Sequence, residues 1–202
     1  MAKNLDLVIE KGKTFRYDIK WETDVHAYSP ITGITQDAPV VVTSTAHGIV
    51  DGWRVAIVSV KGMIQINAEG DTPRASEYHR ASVTNLNSVT FNDINSSTYK
   101  PYISGGFLQY FPPVDITNYS ARMDIRDKIG GTLLQALDSA TGGILIDTEI
   151  MTITIIIPAA TTSAITYSKG VYDLELINPV TGVVTALIAG KVTVTNEVTT
   201  SS

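Results

Sequence analysis

The 202-residue sequence contains no cysteine, which excludes disulfides and thiolate metal sites outright. A chain without thiols fits assembly in a reducing cytoplasm. Runs of Lys or Arg are also missing: 15 basic residues are scattered among 20 acidic ones, for a formal net charge of -5. A nucleic-acid binder needs a basic face to neutralise phosphates, so no direct DNA or RNA contact is expected. Long Ala/Glu/Lys/Leu stretches are absent, and with them the signature of long helices. The most apolar run, residues 150–157, is far too short to cross a bilayer and reads as a buried strand. Residues 1–6 lack a basic segment leading into an apolar one, so neither a secretory signal nor a membrane partner is expected.

What the chain has in plenty is Val, Ile and Thr. These stiff β-branched side chains suit a pleated surface. With 44% hydrophobic and 17% charged residues the chain buries enough apolar surface to fold rather than serve as a disordered linker. Leu5, Leu7 and Ile9 alternate with Asp6, Val8 and Glu10, and 11–13 form a turn. Phe15, Tyr17, Ile19 and Trp21 then alternate with Arg16, Asp18, Lys20 and Glu22, a period-two strand. Residues 23–35 change character, with Ser29-Pro30 and Thr32-Gly33 as turn signals.

From Pro39 a second set of strands is expected: 40–42, then Trp53/Val55/Ile57, 78–83, 89–91 and 99–110, with 69–76 as a loop and Gly105-Gly106 as a bulge. Pro112-Pro113 is the strongest break in the chain and marks a domain boundary. A meander follows: 119–126, 132–137, 144–147, 150–157, 171–178 and 183–198, with Pro179-Val180-Thr181-Gly182 as a hairpin turn. Gly190 interrupts the last alternation as a bulge or bend would. Pro158 opens a single helical turn at its first position. A lone N-terminal hairpin is marginal in water, so the first strands are expected to join the C-terminal meander. The resulting fold is all-β: a discontinuous sandwich of residues 1–24 and 112–202, with residues 25–111 inserted.

Two stretches carry family resemblances. The first runs from Pro39-Val40-Val41-Val42-Thr43 through Ala46-His47-Gly48-Ile49-Val50-Asp51-Gly52-Trp53-Arg54-Val55 and Val60-Lys61-Gly62-Met63 to Val89-Thr90-Phe91. It resembles a small β-barrel module widespread in phage tail and virion proteins, one likened to the four-catalytic-cysteine-half-domain barrel of ubiquitin-activating enzymes. With no cysteine here, that likeness concerns fold alone. The second comprises Tyr119-Ser120-Ala121-Arg122-Met123-Asp124-Ile125-Arg126, Gly170-Val171-Tyr172-Asp173-Leu174-Glu175-Leu176 and Gly190-Lys191-Val192-Thr193-Val194. It is similar to the Ig-like N-terminal domain of phage baseplate and fibre-attachment proteins. The resemblances imply a virion structural protein of the phage tail: a baseplate, adaptor or fibre-attachment part, assembled in the host cytoplasm. Its partners would be copies of itself and other tail proteins, docked through sheet edges and loops. Residues 195–202 are expected to offer a docking strand.

Searches for chemistry lead elsewhere than to an enzyme. His26, His47 and His79 repeat no ligand spacing, so neither a metal nor a cofactor is expected, and His47 is read as bonding local backbone in its turn. Asp124, Asp127, Asp138 and Asp147 offer carboxylates of the kind a glycosidase pairs, but all are read as strand-end or turn residues. No GxSxG elbow or phosphate loop is present. The one candidate surface is aromatic: Tyr99, Tyr102, Phe107, Tyr110 and Phe111, near the expected junction. It is read first as packing between the two domains, then as a subunit interface or a sugar-stacking platform. A receptor- or carbohydrate-binding module is thus the alternative function.

Overall fold

The structure, a computed structural model, describes residues 2–70 and 72–197. In chain order its strands are β1 (Lys3–Asn4), β2 (Leu7–Glu10), β3 (Phe15–Lys20), β4 (Ala27–Pro30), β5 (Gly33–Ile34), β6 (Val40–Thr43), β7 (Arg54–Val58) and β8 (His79–Asn85). They continue as β9 (Ser88–Phe91), β10 (Phe107–Tyr110), β11 (Ser120–Arg126), β12 (Leu133–Asp138), β13 (Ile144–Asp147), β14 (Thr152–Ile157), β15 (Lys169–Ile177) and β16 (Val184–Thr195). One short helix, α1 (Ala159–Ser163), and two single 3-10 turns complete the regular structure, so the protein is all-β. The chain forms two compact units: Met1–Trp21 with Asp115–Ser202, and Glu22–Val114.

The first unit is a sandwich. One sheet runs β1-β16-β15-β11-β12, with β2 also on β16; the other runs β13-β14-β3. Period-two patterning decides which faces meet. Met123 and Ile125 on β11, Leu174 and Leu176 on β15 and Val192 on β16 point into one core with Ile153, Ile155 and Ile157 of the second sheet. β14 is central in its sheet, and Thr154, buried on the face away from those isoleucines, donates its hydroxyl to Asp18 Oδ1 at 2.7 Å.

The N-terminal strands enter this core from both sides. β2 pairs in parallel with β16, Leu7 opposite Val192, and β3 pairs antiparallel with β14, Ile19 opposite Ile153. The first two strands therefore sit in different sheets instead of forming a hairpin with each other. Between β1 and β2 the edge breaks at Leu5 and Asp6, and three groups from the body of the sheet fill the break. The Tyr172 hydroxyl donates to the Leu5 carbonyl at 2.7 Å, Lys191 N–H to Asp6 Oδ1 at 2.8 Å, and Leu5 N–H to the Ala189 carbonyl at 2.9 Å. Gly190 faces the same spot, where any Cβ would overlap the Leu5 carbonyl. The glycine that interrupts the alternation is there to let a second backbone in.

The second unit is a seven-stranded antiparallel sheet ordered β4-β10-β7-β8-β9-β6-β5. Among the described residues no ladder joins β4 to β5. The chain itself links them: Ile31 N–H donates to the Gly106 carbonyl at 3.0 Å, beside β10, and Thr32 N–H to the Thr43 carbonyl on β6 at 2.8 Å. Buried Ser29 and Ser44 hydroxyls meet at 2.7 Å, and Ser44 donates to the Pro30 carbonyl. The core is Trp53, Val55, Ile57, Phe91 and Leu108, with the Trp53 indole N–H on the Phe111 carbonyl at 2.6 Å.

Three local expectations are corrected. Residues 23–35 hold β4 and β5 and are not only turns; Pro30 is tolerated because β4 is an end strand bonded to β10 alone. Residues 99–106 are irregular, and the strand begins at Phe107, since Pro101 and the positive-φ pair Gly105-Gly106 do not hold a ladder. Pro158 is the N-cap of α1 and stands one residue before its first position. The expected docking strand at 195–202 reaches only Thr195 within β16; residues 198–202 lie outside the described residues.

Candidate functional site

On one face of β10, Phe107 and Gln109 follow at period two, and Phe111 continues the pattern one residue past the strand. The neighbouring β4 sets Tyr28 opposite Gln109. The rings form a strip. Phe107 and Tyr28 meet edge to face at 6.2 Å between centroids, and His26 lies over Phe111 at 3.8 Å. His26 Nε2 is 3.1 Å from the Tyr78 hydroxyl, and the Arg54 guanidinium sits 5.9 Å from the Tyr78 ring centre. Arg54 is itself held by both oxygens of Glu22, at 2.7 and 3.3 Å. Burial pushes the Tyr78 phenol above its ordinary range, an effect opposed by Arg54. The strip is only partly covered: Tyr28 is 54% and Phe107 39% exposed.

The five aromatics read from the sequence thus divide. Phe107 and Phe111 belong to this strip. Tyr110 is buried, and its hydroxyl donates to the His47 carbonyl at 2.8 Å. Tyr102 has the Ile31 and Gly105 carbonyls within reach of its hydroxyl, at 3.0 and 3.1 Å, and so pins the loop before β10. Tyr99 stands apart, its carbonyl accepting from Gln36. Sequence reasoning missed Tyr28 and Gln109, because β4 was hidden behind Ser29-Pro30.

A second surface is the β15–β16 hairpin. Asn178 builds its turn: the side-chain oxygen accepts from Val180 and Thr181 N–H, its carbonyl accepts from Gly182 N–H, and its N–H donates to the Val183 carbonyl. The Asn178 amide also donates to the Tyr119 hydroxyl at 2.9 Å, tying the turn to the sandwich. Gly182 has φ of +68°, which this turn requires. On this fixed frame Val180 is 90% exposed, and Val183 and Val184 are exposed beside it. Apolar residues at a hairpin tip, where polar ones are usual, were the signal in the sequence.

The open face of the six-stranded sheet is charged and concave, with a groove of about 980 Å³. Arg122 pairs with Glu175 and Arg126 with Asp124, each at 2.7 Å. Asp124 is thus a mid-strand residue of β11, not the strand-end or turn residue expected. Asp127, Asp138 and Asp147 do cap turns, each accepting from two backbone N–H groups that follow. His47 is buried in its turn: Nδ1 accepts from Ile49 N–H and Nε2 faces the Asn85 carbonyl, both at 3.0 Å, which puts the proton on Nε2. His79 bonds Asp93 at 2.7 Å.

Among the described residues no three His, Asp or Glu side chains stand together as a metal would need. No helix among them is long and apolar enough to cross a membrane. A scan against protein-family models finds no match, and a search of the curated proteins finds none.

Proposed function

We propose that this chain is a structural part of a tailed-phage particle, a tail, baseplate or fibre-attachment component that works by docking. The observation that carries the docking role is the β15–β16 hairpin, which holds three exposed valines on a hydrogen-bonded turn. A rigid apolar tip loses little conformational freedom on binding, so most of the gain from burying it appears as affinity. Each valine taken fully out of water contributes about 1.5–3 kcal/mol. The phage setting rests on the two resemblances described above, which span most of the chain. In this role the protein makes and breaks no bond. Its partners are copies of itself and neighbouring tail proteins, and its place is the virion, after assembly in the host cytoplasm.

The test is the composition of purified particles from a phage that carries the gene. Mass spectrometry is expected to find the chain at several copies per particle. Deleting the gene is expected to leave genome replication and head filling intact and to give particles with absent, truncated or fibreless tails. A chain missing from mature particles, yet needed for replication or lysis, refutes the reading.

A further inference from the structure

Beside the aromatic strip lies a concavity of about 430 Å³ within the Glu22–Val114 unit. This is inside the size range of small-molecule sites, roughly 300–1,000 Å³. Phe107 and Tyr28 form one side, their rings at 89° to each other. The chain after β7, residues 67–70, forms the other. Its backbone is fixed: Asn67 exchanges two hydrogen bonds with Val60, Ala68 N–H donates to the Ile57 carbonyl, and Glu69 N–H to Glu77 Oε1. Ser59, also in the lining, is held at φ of +59°, a conformation that costs a non-glycine residue energy and gathers at functional sites.

Gln109 decides what the concavity is for. It is only 2% exposed, it lines this space, and its carboxamide has no hydrogen-bond partner among the described residues. Among the described residues no sealed side-chain nitrogen or oxygen lacks a partner, so this amide is reached from the concavity and is free to bond what enters it. It lies between Tyr28 and Ala56 in the sheet, two residues from Phe107 on the same face. We propose that this concavity binds a neutral sugar of a polysaccharide, independently of the docking role of the hairpin. A pyranose presents a flat C–H face to an aromatic ring and hydroxyls around its rim. The amide of Gln109 both donates to and accepts from hydroxyls, and the Glu69 carboxylate accepts from them at the edge. Among the described residues the lining holds that one carboxylate, and Arg74 pairs with it at 3.6 Å, so the rim carries no uncompensated charge and suits a neutral sugar. A quaternary ammonium satisfies the rings, but it finds Glu69 already paired with Arg74 and offers Gln109 no hydrogen bond.

The experiment uses the full chain with soluble neutral glucan, mannan and galactan, and with an acidic polysaccharide and choline for comparison. Binding is read by titration calorimetry and by the NMR shift of the Gln109 carboxamide. At least one neutral glycan is expected to bind and to move that signal. Tyr28→Ala and Phe107→Ala, at exposed rings, are each expected to weaken binding about five- to tenfold with the melting temperature unchanged. Gln109→Leu is expected to weaken it about tenfold or more; should that variant unfold, the two ring variants carry the test. The proposal is overturned if no neutral glycan binds, if choline or the acidic polymer binds better, or if the ring variants bind as tightly as the parent. Particle composition and glycan binding are separate readouts, so either reading can fail alone.

Discussion

Asp124 and Asp173 stand directly opposite each other on β11 and β15, two carboxylates on the open face of one sheet. Like charges so placed oppose folding. Burial, then Glu175, then Asp124 raise the Asp173 carboxyl above its ordinary range. A raised folded-state pKa means the folded protein holds this proton more tightly than the unfolded chain. The linked stability is present below the unfolded pKa and is lost as pH rises through the folded one. Asp173→Asn is therefore expected to raise the melting temperature at about pH 7. The gain should vanish below roughly pH 4, where carboxylates are neutral. Thermal melts at both pH values check it; equal melting of variant and parent at neutral pH contradicts the account.

Gly190→Ala puts a methyl group onto the Leu5 carbonyl. The edge formed by β1 and β2 must move off β16, at an expected cost of about 1–3 kcal/mol, as for an overpacked core. Urea unfolding gives the total. Hydrogen exchange at the β2 amides shows whether the damage is local, as expected, or spread evenly.

Tyr172→Phe keeps the buried ring and deletes the hydroxyl that bonds the Leu5 carbonyl. A loss of about 0.5–1.5 kcal/mol is expected. Because both residues meet at Leu5, the double variant with Gly190→Ala should cost less than the sum of the two. Strict additivity in a double-mutant cycle argues against a shared contact.

His47→Ala removes both ring nitrogens from a buried turn and strands Ile49 N–H and the Asn85 carbonyl. Each unsatisfied group costs about 1–3 kcal/mol. The expected result is one of the larger destabilisations in the Glu22–Val114 unit, seen as a lower urea midpoint.

Val180→Asp changes a side chain that is almost wholly in solvent. Its effect on unfolding is expected to stay within about 0.5 kcal/mol. In a phage complementation assay it should nonetheless prevent tail assembly. Normal assembly with this variant would remove the hairpin from the docking surface.

The strands that could be read from the sequence are those whose alternation is unbroken. Phe15–Lys20 and Ser120–Arg126 sit where their apolar periodicity puts them, and Val40–Thr43 and Ile144–Asp147 follow short apolar runs. The parallel pairing of β2 with β16 could not be read, because partners about 185 residues apart leave no local trace. β4 escaped because an end strand needs fewer donors and tolerates Pro30. The aromatic surface was half legible. Composition marks Phe107 and Phe111, but only cross-strand register brings Tyr28 beside Gln109, and only the fold shows that amide lining a concavity.

The route of the chain also sets a timetable during synthesis. Leu7 and Ile9 leave the ribosome about 185 residues ahead of their partners on β16. At roughly 5–20 residues per second the wait is on the order of ten to forty seconds. All of Glu22–Val114 emerges within that interval and can fold while β2 is still an unpaired edge. Asp6, Glu10, Lys11 and Lys13 flank the waiting strand, and charges in those positions keep a nascent edge from pairing with another chain.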